Sequence, residues 1–344
     1  MKKIIFVLAL IISFATPAFA FHGVRWQMDA PVTSNITVHE NNLYFGDSIG
    51  FCYAVNKNSG SVVWSYNVGG SIIGTPAIFD DKESKVLFVS SDGTITCLSL
   101  YDGSLIWNYT PDENKNEAVN DGTAAGNGLF FVVKSDSKLY ALDVETGRRV
   151  WTYKGGDQGL RTSPAYSDGL IFLGEYDGVL NIIDAKTGER VNGGGAGGAV
   201  NTPVVKNGNV YFSSWDGSVQ AVQIKSVIPL WSTNVKDPVT TAPAIAEGLI
   251  TVGTGRSFVV TLKESDGSIL WNFDCGDNGS VSAKPIIANG KVFVCPEGGN
   301  VYELNAKTGR LIDKFETDGI NTSPAYSNGI FYFASGGKVI ALSE

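Results

Sequence analysis

The sequence predicts an all-β protein, an eight-bladed β-propeller of four-stranded antiparallel blades, on three observations. A turn-and-tryptophan unit, complete at Ala141 to Trp151 (ALDVETGRRVW), recurs along the chain at a period of about forty residues. Between its copies lie short apolar runs punctuated by Gly with Asp or Asn, the chemistry of hairpin turns that need positive φ. No stretch after the N-terminal twenty residues sustains a helical periodicity.

The N-terminal stretch stands apart. Lys2 and Lys3 precede an apolar run from Ile4 to Phe14, and Ala18-Phe19-Ala20 supplies the small residues of a cleavage site. The run is shorter than the roughly 20 apolar residues that a spanning helix needs. Residues 1–20 are therefore expected to be a cleaved export signal, with residues 21–344 forming one domain. Phe21 occupies the position where a lipid-modified protein needs Cys, so neither a lipid anchor nor a transmembrane segment is expected. The predicted location is periplasmic or secreted.

Each repeat reads as four strands. A small residue and Pro open the first, as in Thr75-Pro76-Ala77, Ser163-Pro164-Ala165 and Ser323-Pro324-Ala325. A turn such as Asn207-Gly208 leads to the second strand, and a tip such as Ser91-Asp92-Gly93 or Trp215-Asp216-Gly217 leads to the third. Third strands are predicted at Cys52–Val55, Ile95–Leu98, Leu139–Leu142, Leu180–Ile183, Val219–Val222, Phe258–Thr261, Val301–Leu304 and Val339–Leu342, which sets the blade count at eight. Fourth strands follow Gly60, Gly103, Gly147, Gly188, Gly267 and Gly309. Four residues after each stand Trp64, Trp107, Trp151, Asn192, Trp271 and Asp313. One turn has Val227 in place of Gly yet keeps Trp231. This constant spacing is read as one structural device.

The eighth unit has no fourth strand of its own, but Val24 to Met28 matches Val62 to Tyr66. The N-terminal strand, with Trp26, is thus predicted to complete the last blade and close the ring without an open seam. The glycine run Gly193–Gly198 lacks the Lys-Ser/Thr of a phosphate loop and is read as a blade-to-blade connection.

The unit Ala141-x-Asp143-x-x-Thr146-Gly147-x-x-x-Trp151 resembles the tryptophan-docking motif of the pyrroloquinoline-quinone (PQQ) repeat propellers. That family includes the quinoprotein alcohol dehydrogenases and the BamB-type propellers of outer-membrane protein assembly, to which this chain is closer in size and blade count. The resemblance covers residues 21–344 and implies Trp26, Trp64, Trp107, Trp151, Trp231 and Trp271 as docking residues. It does not imply the cofactor, because the family spans both enzymes and scaffolds. The vicinal disulfide and the large insertions of the dehydrogenases have no counterpart here.

Composition narrows the function. The chain holds 26 basic and 34 acidic residues, a formal net charge of −8, and loss of Lys2 and Lys3 makes it more acidic. An acidic surface repels phosphate backbones, so nucleic acid is excluded as a partner. Two histidines, His22 and His39, leave little for histidine catalysis or a histidine metal site, and no metal is expected. The stretch Asp112–Glu117 lacks the Gly and terminal Glu of a calcium loop and is read as solvated.

The remaining candidates lie on the propeller's axis and loops. Ser34, Thr75, Thr123, Ser163, Thr202, Ala242, Lys284 and Ser323 are placed around the central channel, with Asp121 and Arg161 of adjacent blades as a pair at its mouth. Trp215, Arg256 and Glu175 occupy one class of hairpin tip and are candidate contact residues. Cys275 and Cys295 are expected to reach the same face of neighbouring blades as a candidate disulfide, whereas Cys52 and Cys97 are expected to be separate buried thiols.

The leading expectation is an exported, monomeric, non-enzymatic scaffold that binds other proteins of the cell envelope, with no cofactor. The rival is a small PQQ- and Ca²⁺-binding enzyme, with Asp121 as base and Arg161 and Lys284 as anion anchors. A surface-layer component fits the same composition.

Overall fold

Among the described residues, thirty-two strands form eight separate four-stranded sheets, each ordered first to fourth by antiparallel neighbours. The computed structural model describes residues 23–80, 83–109, 119–160, 162–226, 228–276, 279–320 and 322–344, and not the side chains of 119–121. The predicted signal at 1–20 and the loop at 112–117 lie outside these residues. Blades 1 to 7 occupy residues 37–67, 72–109, 119–154, 165–195, 204–234, 244–274 and 286–316. Blade 8 joins residues 325–343 to the N-terminal strand Gly23–Asp29, which pairs with Lys338–Ser343. The predicted closure of the ring is the observed one.

The hydrophobic core is not central. It is divided into eight clusters, each shared by two consecutive blades, such as Tyr44, Ala54 and Trp64 against Ile72, Phe88 and Leu100. The strand pattern follows from this. A blade's middle strands are covered on both faces and read as continuous apolar runs, as in the wholly buried Lys85–Ser90 and Leu129–Lys134. Fourth strands lie at the rim and alternate.

Tryptophan joins the blades. Trp64 of blade 1 lies flat on Gly103 in the turn of blade 2, and its indole N–H donates to the Leu100 carbonyl at 3.0 Å. The same contact is made by Trp26 on Gly60, Trp107 on Gly147, Trp151 on Gly188, Trp231 on Gly267 and Trp271 on Gly309. Their N–H groups donate to the carbonyls of Lys57, Val144, Ala185, Glu264 and Ala306. Glycine is required twice over at these turns. Its φ of 67–74° is left-handed, and a Cβ would come within 2.4–2.7 Å of the ring.

This revises the single device read from the sequence. The Gly and the Trp four residues apart in one blade serve two different interfaces, because each turn receives the Trp of the preceding blade. The two tryptophan losses are then explained together. In the sequence Val227 stands where the turn glycine opposite Asn192 is expected, and Asp313 of blade 7 faces blade 8, whose fourth strand is the N-terminal Gly23–Asp29 and is not joined to the third by a turn. Neither position has a glycine to dock on.

A second shared feature was not legible. In every blade the register between third and fourth strands slips one residue before the Trp position, as between Ala54↔Trp64 and Val55↔Val62. The bulge swings the large side chain toward the next blade and leaves neighbours such as Val62 and Val63 exposed.

One expectation is corrected. Gly193–Gly195 belong to the fourth strand of blade 4 (Arg190–Gly195), so only the second half of the glycine run is a connection. Cys275 and Cys295 remain buried thiols. Cys275 packs with the layer between blades 6 and 7 and Cys295 with the layer between blades 7 and 8, yet the two lie near enough that Cys275 adds to the dominant effect of burial in raising the Cys295 thiol. Cys52 and Cys97 are buried as expected, and burial pushes the Cys97 thiol up to about 12.

Where blade 7 has no tryptophan latch, polar groups hold its contact with blade 8. Lys291 Nζ lies 2.6 Å from Glu303 Oε1 and 3.0 Å from Glu344 Oε1. Glu344 also accepts from Tyr326 and Asn289. Burial raises the Glu344 carboxyl, but the bonds from Tyr326, Lys291 and Asn289 outweigh it and leave the pKa below the usual value.

Three outcomes are expected. Trp64→Ala should cost about 3–5 kcal/mol in denaturant unfolding, and Gly103→Ala should also destabilise because it drives a Cβ into the same ring. In hydrogen exchange, the fourth strand of blade 4 should open before those of blades 1, 2, 3, 5 and 6; uniform protection would contradict the latch. The stability supplied by Glu344 is present above the ordinary glutamate range and lost as pH falls through its depressed value. Glu344→Gln should therefore remove that part of the acid sensitivity in thermal melts taken across the range.

Candidate functional site

First strands meet around the axis and leave a channel cavity of about 410 Å³. Thr75, Thr123, Ser163, Thr202, Ala242, Lys284 and Ser323 line it, as the repeat alignment places them. Ser34 does not. In blade 1 the register is one residue later, so Asn35 takes the channel position and Ser34 Oγ accepts from Gly46 N–H at 2.7 Å. Thr162 and Thr241 receive the N–H groups of Gly174 and Gly253 in the same way. Blade 1 has no small-residue–Pro pair to mark its strand start, and neither has blade 3, whose Thr123 nevertheless lines the channel, so the sequence carries no clear signal for the shift.

Several lining groups are committed to each other. Asn35 Nδ2 donates to Thr75 Oγ1 at 2.7 Å, Asn35 Oδ1 accepts from Ser323 N–H at 2.7 Å, and Thr123 Oγ1 donates to the Thr75 carbonyl. These bonds stitch blades 8, 1, 2 and 3 at the axis, opposite the tryptophan latches at the rim. Lys284 supplies a cationic side chain to the wall. It is half-buried in the channel wall, and burial lowers its pKa. Arg161 and the side chain of Asp121, predicted to pair at the mouth, lie outside the described residues.

One face of the ring is built from the blade connections and the tips between second and third strands. The tip N–H groups tie the two together: Ser48 to Pro31, Ser91 to Ser71, Tyr176 to Gly159, Trp215 to Ala199 and Gly255 to Pro238. Side chains at the tips point outward. Trp215 is 48% exposed, Tyr176 of the adjacent blade 52% and Ile49 62%, so this face carries exposed apolar side chains in addition to those of the rim strands. Arg256 is exposed, with Nε 3.5 Å from Asp237 Oδ1 at the rim of a small cleft.

Glu175 does not belong with these contact residues. It is 3% exposed, and its carboxylate accepts from Gly156 N–H and, at 2.6 Å, from Asn181 Nδ2. It stands one residue before the tip, where Asp47 of blade 1 likewise accepts from Ile49 and Phe51 N–H and from the Tyr53 hydroxyl. A tip flanked by such a carboxylate is held rigid. Sequence reasoning assigned Glu175 one position too far out and did not single out Ile49, which is exposed at the tip of blade 1.

A family model described as "Outer membrane protein assembly factor BamB" matches residues 22–125, 81–234 and 215–344, which is nearly the whole chain. The chain belongs to this family. It is similar to the outer membrane protein assembly factor BamB of Moranella endobia, with 22% identity over 287 residues. That match covers 82% of this chain and 64% of the relative's length. Among solved structures, BamB from Moraxella catarrhalis superposes with a TM-score of 0.81 at 18% identity, covering 93% of this chain and 99% of that one. Quinohemoprotein alcohol dehydrogenase from Comamonas testosteroni superposes with a TM-score of 0.75 at 11% identity, covering 93% of this chain and 76% of that one. Both likenesses are of fold.

The lowered pKa of Lys284 has a definite consequence. The fold disfavours its charged form, so stability rises with pH across the interval between its depressed value and the ordinary lysine range. Lys284→Met should remove that rise from thermal melts taken across the alkaline and neutral range; an unchanged pH profile in the folded variant would refute the effect of burial.

Proposed function

We propose that this protein is an exported, non-catalytic scaffold of outer-membrane protein assembly, which binds envelope partners through its hairpin-tip face. The family match over nearly the full chain carries the reading. The geometry supports it: a stiff ring, rigid tips, and the exposed apolar side chains of Ile49, Tyr176 and Trp215 on one face. Tyrosine and tryptophan are the residue types that most often anchor protein interfaces. The predicted signal at 1–20 supports delivery to the periplasm, and Phe21 in place of Cys supports a protein held at the membrane by its partners rather than by lipid.

The quinone-enzyme alternative draws support from the same fold and from Lys284 in the channel. The described lining offers hydroxyls, amides and one ammonium, but no carboxylate. Ca²⁺ is held by oxygen ligands that usually include carboxylates, so the described residues do not fit a calcium-bound quinone. Titration with PQQ and Ca²⁺, followed by absorbance, tests this directly.

The scaffold reading predicts a separation of binding from stability. Trp215→Ala and Tyr176→Ala should each leave thermal unfolding within about 0.5 kcal/mol of wild type. The double variant should lose crosslinks to outer-membrane assembly proteins in native envelopes, read by mass spectrometry. Undiminished crosslinking by a folded double variant would move the partner site elsewhere.

A further inference from the structure

The axial channel is polar around its wall, but that polarity is used unevenly. On one arc the groups bond to each other: Asn35 of blade 1 holds Thr75 Oγ1 and the Ser323 N–H, and Thr123 of blade 3 holds the Thr75 carbonyl. The arc opened by blades 5 to 8 differs. The hydroxyls of Thr202, Ser282 and Ser323 line the cavity there without a hydrogen bond to any described residue. The Lys284 ammonium likewise has neither a hydrogen bond nor a counter-ion among the described residues.

Lys284 stands in blade 7 where Thr202 stands in blade 5 and Ser323 in blade 8, so a cation replaces a hydroxyl of the repeat. Blade 6, its neighbour, has Ala242 at that position, which leaves open space beside the ammonium. The described lining contains no carboxylate to answer the charge. A cation enclosed by protein without a partner is unfavourable, and burial accordingly lowers the Lys284 pKa. An anion entering the channel would supply the missing partner.

The wall selects which anion. One ammonium matches one negative charge, and hydroxyl donors beside it suit a group with two acceptor oxygens. Ile36, Pro164 and Ala242 add apolar patches that a short hydrocarbon can cover. The volume of about 410 Å³ lies at the low end for ligand pockets. We propose that the axial channel binds a small monocarboxylate, with its carboxylate on the Lys284 ammonium and the hydroxyls of Thr202, Ser282 and Ser323 as further donors. Such a ligand needs no cation of its own, unlike the calcium-bound quinone weighed above. The site is separate from the hairpin-tip face and does not rest on the scaffold reading.

Saturation-transfer NMR on the protein of residues 21–344 at neutral pH, with butyrate as the probe, tests the proposal. Saturable butyrate binding is expected, about tenfold tighter than that of butyramide, which keeps the shape and lacks the charge. Lys284→Met should lose the preference for butyrate over butyramide while circular dichroism stays native. Should that variant not fold, Thr202→Val decides, because the loss of one hydroxyl donor should weaken butyrate about fivefold. Sulfate, a dianion, should not displace butyrate at equal concentration. Absence of saturable butyrate binding, equal binding of butyramide, an unchanged preference in folded Lys284→Met, an unchanged affinity in Thr202→Val, or displacement by sulfate would overturn the assignment.

Discussion

The structure depends on one repeated contact, an indole ring laid on a glycine of the next blade with its N–H held by a backbone carbonyl. A propeller blade cannot bury its own two faces, so all of its core is shared with neighbours. The latch fixes the angle and distance at which that sharing occurs. It combines a large apolar area with a directional bond, which non-specific packing of Val and Leu lacks. Because each latch joins consecutive blades, the ring is a chain of local contacts. The pairing of Gly23–Asp29 with Lys338–Ser343, the docking of Trp26 on Gly60 and the core shared by blades 8 and 1 bring the two ends together.

The exceptions show how the rule works. The tryptophan at position 192 and the glycine at position 227 are lost together, and Asp313 faces a blade that has no turn to receive a ring. Each loss is partly compensated within the sheet, by Ile182 in one case and by Glu303 with Lys291 and Glu344 in the other. A polar network can replace a latch where the groups find partners. It makes that contact sensitive to pH in a way that an indole is not, since the charges of Lys291 and Glu344 are part of the contact.

Stiffness and function are linked through the tips. Carboxylates such as Asp47 and Glu175, buried one residue behind the tip, take up backbone N–H groups and set the direction of the exposed residue. A rigid loop loses little conformational freedom when it binds, so the exposed Tyr176 and Trp215 can act as anchors. The channel works in the opposite sense. Its hydroxyls and amides bond across blades, which spends their polarity on holding the axis together and leaves Lys284 as the cationic group of its described wall.

Blade count, strand order, ring closure and the identity of the latch residues were all legible in the sequence, because they depend on period and on turn chemistry, which are local. The partner of each latch was not. The glycine that receives a tryptophan lies about forty residues further on, and the spacing of four within one blade concealed this. The bulge before each Trp was hidden too, since it changes register without changing composition. At the site, seven channel positions followed from the strand-opening residues, while Ser34 was misplaced because a one-residue shift of register in blade 1 turns its hydroxyl to Gly46 N–H. Glu175 was misplaced because a one-residue step at a tip turns a side chain from solvent into the sheet. The sequence by itself determined that a ring of eight blades forms. Only the tertiary structure decided which interface goes without its ring, because a vacancy between two blades is defined by the neighbour's surface.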